Sequence, residues 1–202
     1  MTNPATLEKR ALRQQLRLAL KDIAPSERER FSVDAAQILS QRREWLQARS
    51  VLFYMALADE LDLTTLLHLA LHQGKIVALP RFLPDQNCYA AALVSDLSRD
   101  CAPGKFGILE PVAQCKEIGL DQADLILVPG TGFDTSGGRL GRGRGYYDRL
   151  LEGTTGLRCG AAFDCQIVPT VPAEPHDARM DFIVTPSRWI EAVPPKTHTE
   201  IN

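Results

Sequence analysis

At 202 residues, with 45% hydrophobic and 24% charged side chains, the chain has the length and composition of one α/β domain with a sizeable core. A net charge of −2 gives no general attraction to nucleic acid or anionic membrane, so any anion site has to come from a local cluster. The five cysteines are odd in number and form no CxxC pair, no apolar run is long enough to cross a bilayer and the N-terminus has no apolar leader; reduced thiols and a cytoplasmic location are expected.

In chain order, Thr6 is a candidate cap for a helix to about Ile23, with Leu12, Leu16, Leu20 and Ile23 on one apolar stripe. Lys9, Arg13, Arg17 and Lys21 form a basic stripe beside it, which taken alone reads as a solvated face. Pro25 stops this helix, and Ser26 to Glu29 reads as a capping box for the next, whose Phe31, Ala35, Ile38 and Leu39 recur at core spacing. Trp45 and Leu46 are expected to close that helix against a sheet. Val51 to Met55 predicts a strand, and Asp59-Glu60-Leu61-Asp62 leads into a helix from about Leu63 to Gln73, with Asp62 a natural N-cap. His68 and His72 lie four apart on that helix without acidic or cysteine neighbours, the pattern of a surface pair.

Lys75 to Leu79 predicts a strand ended by Pro80, which puts Arg81 and Phe82 at a carboxyl end, where open α/β sheets place ligands. Tyr89 to Val94 predicts another strand, and residues 100–105 a loop. The most informative stretch is LILVPGTGFDTSGGRLGRGRGYYDRLL, from Leu125 to Leu151. Leu125 to Val128 is a continuous apolar run, as in a strand buried on both faces. A glycine-rich segment with Arg139, Arg142 and Arg144 follows, then a helix start at Tyr146. Strand, glycine loop and helix start together aim backbone N–H groups at an anion, and guanidinium groups match phosphate oxygens. The spelling is neither the P-loop nor the dinucleotide fingerprint: Tyr146 stands where GxGxxG from Gly141 needs its third glycine. The aromatic and apolar residues that follow at once argue against a disordered RGG tether. Arg158 to Phe163 and Phe182 to Thr185 are further strands, and the tail from Glu191 is expected to be loose.

Helical segments alternating with short apolar strands give the fold class: a single three-layer α/β/α domain over residues 1–202, Rossmann-like, with a mixed or mostly parallel sheet. Sugar-phosphate isomerases and coenzyme A transferases share this architecture in a general way and supply the alternative function.

PGTGFD…GGRLGRGRGYYDR, from Pro129 to Arg149, resembles the signature of the 5-formyltetrahydrofolate cyclo-ligase family, with Thr131 in place of an apolar residue. Lys9-Arg10-Ala11-Leu12-Arg13 is similar to the family's K-R-x-L-R segment, Phe106 to Pro111 to its FGIxEP segment, and Val171 to Asp177 to a segment with an acidic metal ligand. The resemblance implies ATP-dependent closure of 5-formyltetrahydrofolate to 5,10-methenyltetrahydrofolate, with Mg²⁺, a reduced folate as the small-molecule partner, no nucleic acid or membrane partner, and a monomer. It implies ATP contacts from Lys9, Arg10, Arg13, Arg139, Leu140, Gly141, Arg142, Gly143, Arg144, Gly145, Tyr146 and Tyr147. Folate contacts fall on Met55, Glu60, Arg142, Gly143, Arg144, Gly145 and Tyr146, and metal ligands on Asp148 and Asp177. Arg142, Lys9 and Tyr146 are the catalytic candidates. Phe106 and Ile108 fit either pterin packing or ordinary loop packing, Tyr147 either ATP contact or core, and Glu110 is a weaker candidate for holding the loop or the ligand. Asp134 is expected to orient an arginine or to hold the turn.

Overall fold

A computed structural model describes residues 4–174 and 177–193. Helices α1 (Pro4–Lys21), α2 (Pro25–Ser40) and α3 (Arg43–Gln47) precede strand β1 (Ser50–Leu52), then α4 (Thr64–His72), β2 (Ile76–Leu83) and β3 (Cys88–Val94). After α5 (Leu97–Asp100) come the short strands β4 (Cys101–Pro103), β5 (Leu109–Pro111) and β6 (Glu117–Ile118). The buried strand β7 (Leu125–Pro129) leads into a hairpin of β8 (Gly132–Asp134) and β9 (Arg139–Leu140), and then α6 (Tyr146–Leu150). Strands β10 (Leu157–Ala161), β11 (Ile167–Val168), β12 (Phe182–Val184) and β13 (Trp189–Glu191) complete the described chain.

The main sheet has the order β13-β12-β10-β7-β1-β2-β3-β6. Its centre, from β12 to β2, is parallel, and β13, β3 and β6 pair antiparallel at the flanks. The continuous apolar run of β7 explains its central place. Leu125 and Leu127 pack on one face with α2, α3 and α4, while Ile126 and Val128 pack on the other with Leu150 and Leu151. Each such fully buried side chain contributes about 1.5–3 kcal/mol. Helices therefore cover both faces, as the alternation of the sequence predicts.

Connectivity reverses between β1 and β7. From β1 the chain steps outward to β2 through α4, and from β7 it steps the other way to β10 through α6. The carboxyl ends of these two neighbours open a crevice at the switch point, where open α/β sheets bind ligands.

Several boundaries differ from the sequence reading. β2 runs through Pro80 to Leu83: β1 pairs with it only as far as Leu52 opposite Ala78, so the proline sits where β2 has outrun its neighbour on that side. The capping interaction of α2 lies two residues earlier than expected, with the Ala24 N–H donating to Glu27 at 3.2 Å, because Pro25 occupies the first turn rather than closing the previous helix. Leu46 belongs to the separate helix α3 and is exposed, while Trp45 is fully buried. The stretch expected as a loop at 100–105 contains β4, and Trp189–Glu191 forms an edge strand before the chain leaves the described residues.

Candidate active site

A cavity of about 440 Å³ fills the crevice between the loop after β1 and the glycine loop after β7. Met55, Leu57 and Glu60 line it from the first loop, and Pro129, Gly130, Arg139, Gly141, Arg142, Arg144, Gly145, Tyr146, Tyr147 and Asp148 from the second. Ile108 and Leu109 add an apolar edge, Pro80 and Tyr89 come from β2 and β3, and Arg17 reaches in from α1.

Local chemistry explains the shape of the glycine loop. Asp134 is buried, and its Oδ1 accepts from the Ser136 N–H (2.9 Å), the Ser136 hydroxyl (2.6 Å) and the Gly138 N–H (2.9 Å). Its Oδ2 accepts from the Val171 N–H at 2.7 Å. Burial pushes this carboxyl up, but these donors outweigh it and hold the group below its usual range. Asp134 therefore holds the turn and orients neither arginine. Gly137 completes the turn with φ of 87°, and a Cβ there would lie 2.3 Å from the Met180 carbonyl oxygen.

The hairpin aims Arg139 inward. Its buried guanidinium pairs with Asp148 at 2.5 Å and lies 5.8 Å from the Tyr147 ring centroid. Arg142, further along and partly exposed, pairs with both Asp59 and Glu60 (3.0 Å to Glu60), so both acids of the β1 loop engage it. Glu60 Oε2 also accepts the Leu57 N–H at 3.0 Å. Burial raises the Glu60 carboxyl above its ordinary range, with the Leu57 N–H and Arg142 opposing. Tyr147 is half-buried, packs against both core clusters, and is pushed well above the usual phenol range by burial and by the Glu60 charge.

Helix α1 docks on this hairpin through Leu16, which packs with Leu140 and Val171. One turn earlier, Arg13 Nε donates to the Gly141 carbonyl at 2.7 Å. Another turn back, buried Lys9 donates to Glu174 (2.8 Å) and Asp177 (2.6 Å). Arg13 is thus brought beside the glycine loop, whereas Lys9 is held by Glu174 and Asp177, and none of Lys9, Arg10 and Arg13 is among the cavity's wall residues. Arg10 lies on the exposed α1 face with Arg13, Gln14, Arg17, Leu18 and Lys21. The Leu140 side chain is core, so any ligand contact from it is through backbone alone. Gly143 sits beside the Arg13 guanidinium with φ of 92°. α6 spans five residues, so the positive field of the loop rests on its arginines more than on a helix dipole.

The two expected metal ligands are each tied to a cation, Asp148 to Arg139 and Asp177 to Lys9. Among the described residues no three His, Cys, Asp or Glu side chains converge, so no all-protein metal cage exists there. Asp148 nevertheless lies in the cavity wall with one oxygen that has no partner among the described residues. That suits Mg²⁺, which takes one or two carboxylates and fills its shell with water and phosphate.

Residues 5–186 match the family described as the 5-formyltetrahydrofolate cyclo-ligase family. The chain belongs to the 5-formyltetrahydrofolate cyclo-ligase family. It is 35% identical over 195 residues to the 5-formyltetrahydrofolate cyclo-ligase of Mycolicibacterium smegmatis, covering 89% of this chain and 96% of that one. It is 28% identical over 197 residues to the mouse (Mus musculus) 5-formyltetrahydrofolate cyclo-ligase, covering 87% and 92%. Among solved structures, 5,10-methenyltetrahydrofolate synthetase of Aquifex aeolicus superposes with a TM-score of 0.82 at 29% identity, over 96% of this chain and 99% of that one. These matches support the cyclo-ligase reading and not the isomerase or transferase alternative.

Within this family fold, residues passed over in the sequence are as close to the site as several that were named. Arg17 lines the cavity, and its signal was present: it stands four residues after Arg13 on the same stripe. Asp59 shares Arg142 with Glu60, and Glu174 shares Lys9 with Asp177. Tyr89, Asn87 and Lys105 reach the site from other strand ends and loops, and no local pattern marks them. Arg81 instead pairs with Glu117 and donates to the Val112 (2.9 Å) and Cys115 (3.2 Å) carbonyls, a structural role at the sheet edge. Glu110 is buried and accepts the Phe82 N–H at 3.0 Å, which holds its loop. The expected packing of the Phe106 side chain lies outside the described residues. His68 and His72 are exposed, and among the described residues no helix is long and apolar enough to cross a membrane.

Proposed function

We propose that this chain closes 5-formyltetrahydrofolate to 5,10-methenyltetrahydrofolate at the expense of ATP, as a monomer. The observation that carries the reading is the two-sided cavity at the switch point. One side is apolar and aromatic (Met55, Leu57, Ile108, Tyr89, Tyr146), suited to a pterin, and the other carries Arg17, Arg139, Arg142 and Arg144, suited to a polyphosphate.

A formyl oxygen on nitrogen is a poor leaving group. It attacks the γ-phosphorus of ATP; the new O–P bond forms as the bond to the β,γ-bridging oxygen breaks and ADP departs. N10 of the folate then attacks the activated formyl carbon and loses its proton, and the C–O bond breaks to release phosphate. Phosphoryl transfer asks the protein mainly for alignment and for neutralisation of the equatorial oxygens. Arg139 is already aimed by Asp148, and Arg142 by Asp59 and Glu60. As phosphate draws Arg142 away, Glu60 is freed for the folate. Its raised carboxyl suits a hydrogen bond to the pterin's polar edge. Arg13 ties α1 to the glycine loop, and Lys9 ties it to Glu174 and Asp177. Asp148 and Asp177 are the residues that would hold Mg²⁺, which would supply positive charge to offset that of the phosphates.

The test is appearance of the methenyl absorbance from 5-formyltetrahydrofolate with ATP and Mg²⁺, and its absence when ATP is omitted. Folded protein that forms no methenyl product under these conditions refutes the reading. Titration of Mg²⁺ against activity in Asp148→Asn addresses the metal: a higher requirement is expected, and an unchanged one removes Asp148 from the site.

A further inference from the structure

The loop joining β4 to β5 crosses the edge of the cavity on a firm footing. Gly104 lies on the Glu110 side chain so closely that a Cβ there would come within 2.5 Å of its Cδ, and Glu110 in turn accepts the Phe82 N–H of β2. From this anchored strap Lys105 places its ammonium 3.2 Å from the Phe82 ring centroid, 5.1 Å from that of Tyr146, and 3.2 Å from the Tyr146 hydroxyl oxygen. An ammonium has donors only. The Tyr146 hydroxyl therefore accepts from Lys105, and from the Arg144 side chain as well, while its own proton goes to Asn87 Oδ1, 3.3 Å away at the tip of the β2–β3 hairpin. Phe82, Tyr89 and Tyr146 meet edge to face with centroids 5.4, 5.5 and 5.8 Å apart, which fixes the plane of the tyrosine ring.

With its hydroxyl engaged by protein, and with Arg149 as well as Lys105 over its ring (5.2 and 5.1 Å to the centroid), what Tyr146 offers the cavity is the remaining aromatic surface. From this we infer that Lys105 is a positioning residue: through the Tyr146 hydroxyl and the Phe82 ring it orients the aromatic wall that takes the pterin, and so governs affinity for the folate but not for ATP. The inference rests on the cyclo-ligase reading and assigns that reading a specificity determinant outside the glycine loop. It also makes Tyr146 a stacking partner and not a proton donor to the substrate.

Lys105→Met keeps the length of the side chain and removes both the charge and the donor. Steady-state kinetics should show KM for 5-formyltetrahydrofolate raised roughly three- to tenfold, with KM for ATP and the melting temperature unchanged. Calorimetric binding of 5-formyltetrahydrofolate without ATP should weaken by the same factor. Lys105→Arg, which keeps a donor and a cation for the ring face, should restore most of the affinity. In the double variant with Tyr146→Phe the two losses should be less than multiplicative, since both remove one hydrogen bond. An unchanged folate affinity in active Lys105→Met, a change in KM for ATP instead, or fully multiplicative losses would overturn the inference. Failure of the wild-type chain to form methenyl product at all would instead sink the underlying reading.

Discussion

Arg139 and Arg142, on the glycine loop, each face carboxylates, whereas Arg17, on α1, faces the same cavity with no hydrogen-bond or ion-pair partner among the described residues. The loop arginines are held in place by acids that substrate has to displace or share. On α1 Lys9 has its acids, Glu174 and Asp177, but Arg13 gives its Nε to a carbonyl, and burial together with the nearby Arg17 lowers its guanidinium below the ordinary value. The first arrangement supplies alignment and the second supplies field. Alignment acts on turnover and field on capture, and substitutions should separate the two.

The largest effect is expected at Arg139. Arg139→Leu breaks a buried pair and leaves Asp148 without its cation, a loss of about 3–5 kcal/mol in stability by the usual measure of such pairs. A kcat loss of at least roughly a hundredfold should accompany it. Thermal melts and turnover should fall together; an active variant would place the phosphate elsewhere.

Arg142→Ala should separate the two readouts. Its pairs with Asp59 and Glu60 are partly exposed, worth about 0–1 kcal/mol, so the melt should barely move. Turnover should drop roughly a hundredfold if the guanidinium meets the moving phosphoryl group. Wild-type kcat would reduce it to a solvated loop residue.

Asp134 tests the scaffold that aligns both arginines. Its folded carboxyl lies below its ordinary value. Its contribution is therefore complete above the unfolded value of about 3.9 and is lost as pH falls through the lower folded one. Asp134→Asn should lose about 1–3 kcal/mol near neutral pH and show a flatter acid limb of melting temperature against pH than wild type. Parallel acid limbs in the two proteins would contradict the assignment.

The smallest effects belong to α1. Arg17→Ala should raise KM for ATP severalfold with kcat retained, and more so at low salt, as expected for an exposed charge. Lys21→Ala, one turn further along and outside the cavity wall, should change neither constant. Equal losses at both positions would mean a general electrostatic face.

Much of this was legible in the sequence because it rests on local periodicity. Leu125 to Val128 announces a strand buried on both faces, the leucines of α1 announce its docking face, and the glycines and arginines that follow β7 announce an anion loop. What was not legible is set by long-range packing. Glu117–Ile118 and Trp189–Glu191 are too short to carry a period, and Pro80 reads as a strand end unless one knows how far β1 extends. Lys105 and Asn87 converge on Tyr146 from positions 41 and 59 residues away, and nothing local links them. The same holds for the acids that claim Arg142, 82 and 83 residues upstream.

The docking of α1 also sets an order of events during synthesis. Arg13 has its partner 128 residues downstream, and Lys9 has its own 165 and 168 residues downstream. The helix that leaves the ribosome ahead of the sheet is thus anchored only after the strands it accompanies have been made. Until Glu174 and Asp177 emerge, its basic stripe has no acids to rest on, and its buried leucines have only part of their seat. Contacts of such sequence separation form late and slowly. A chain halted before Glu174 already carries the glycine loop and the Gly141 carbonyl that takes Arg13, yet lacks the acids for Lys9, so the N-terminal turns of α1 are fastened near the end of translation.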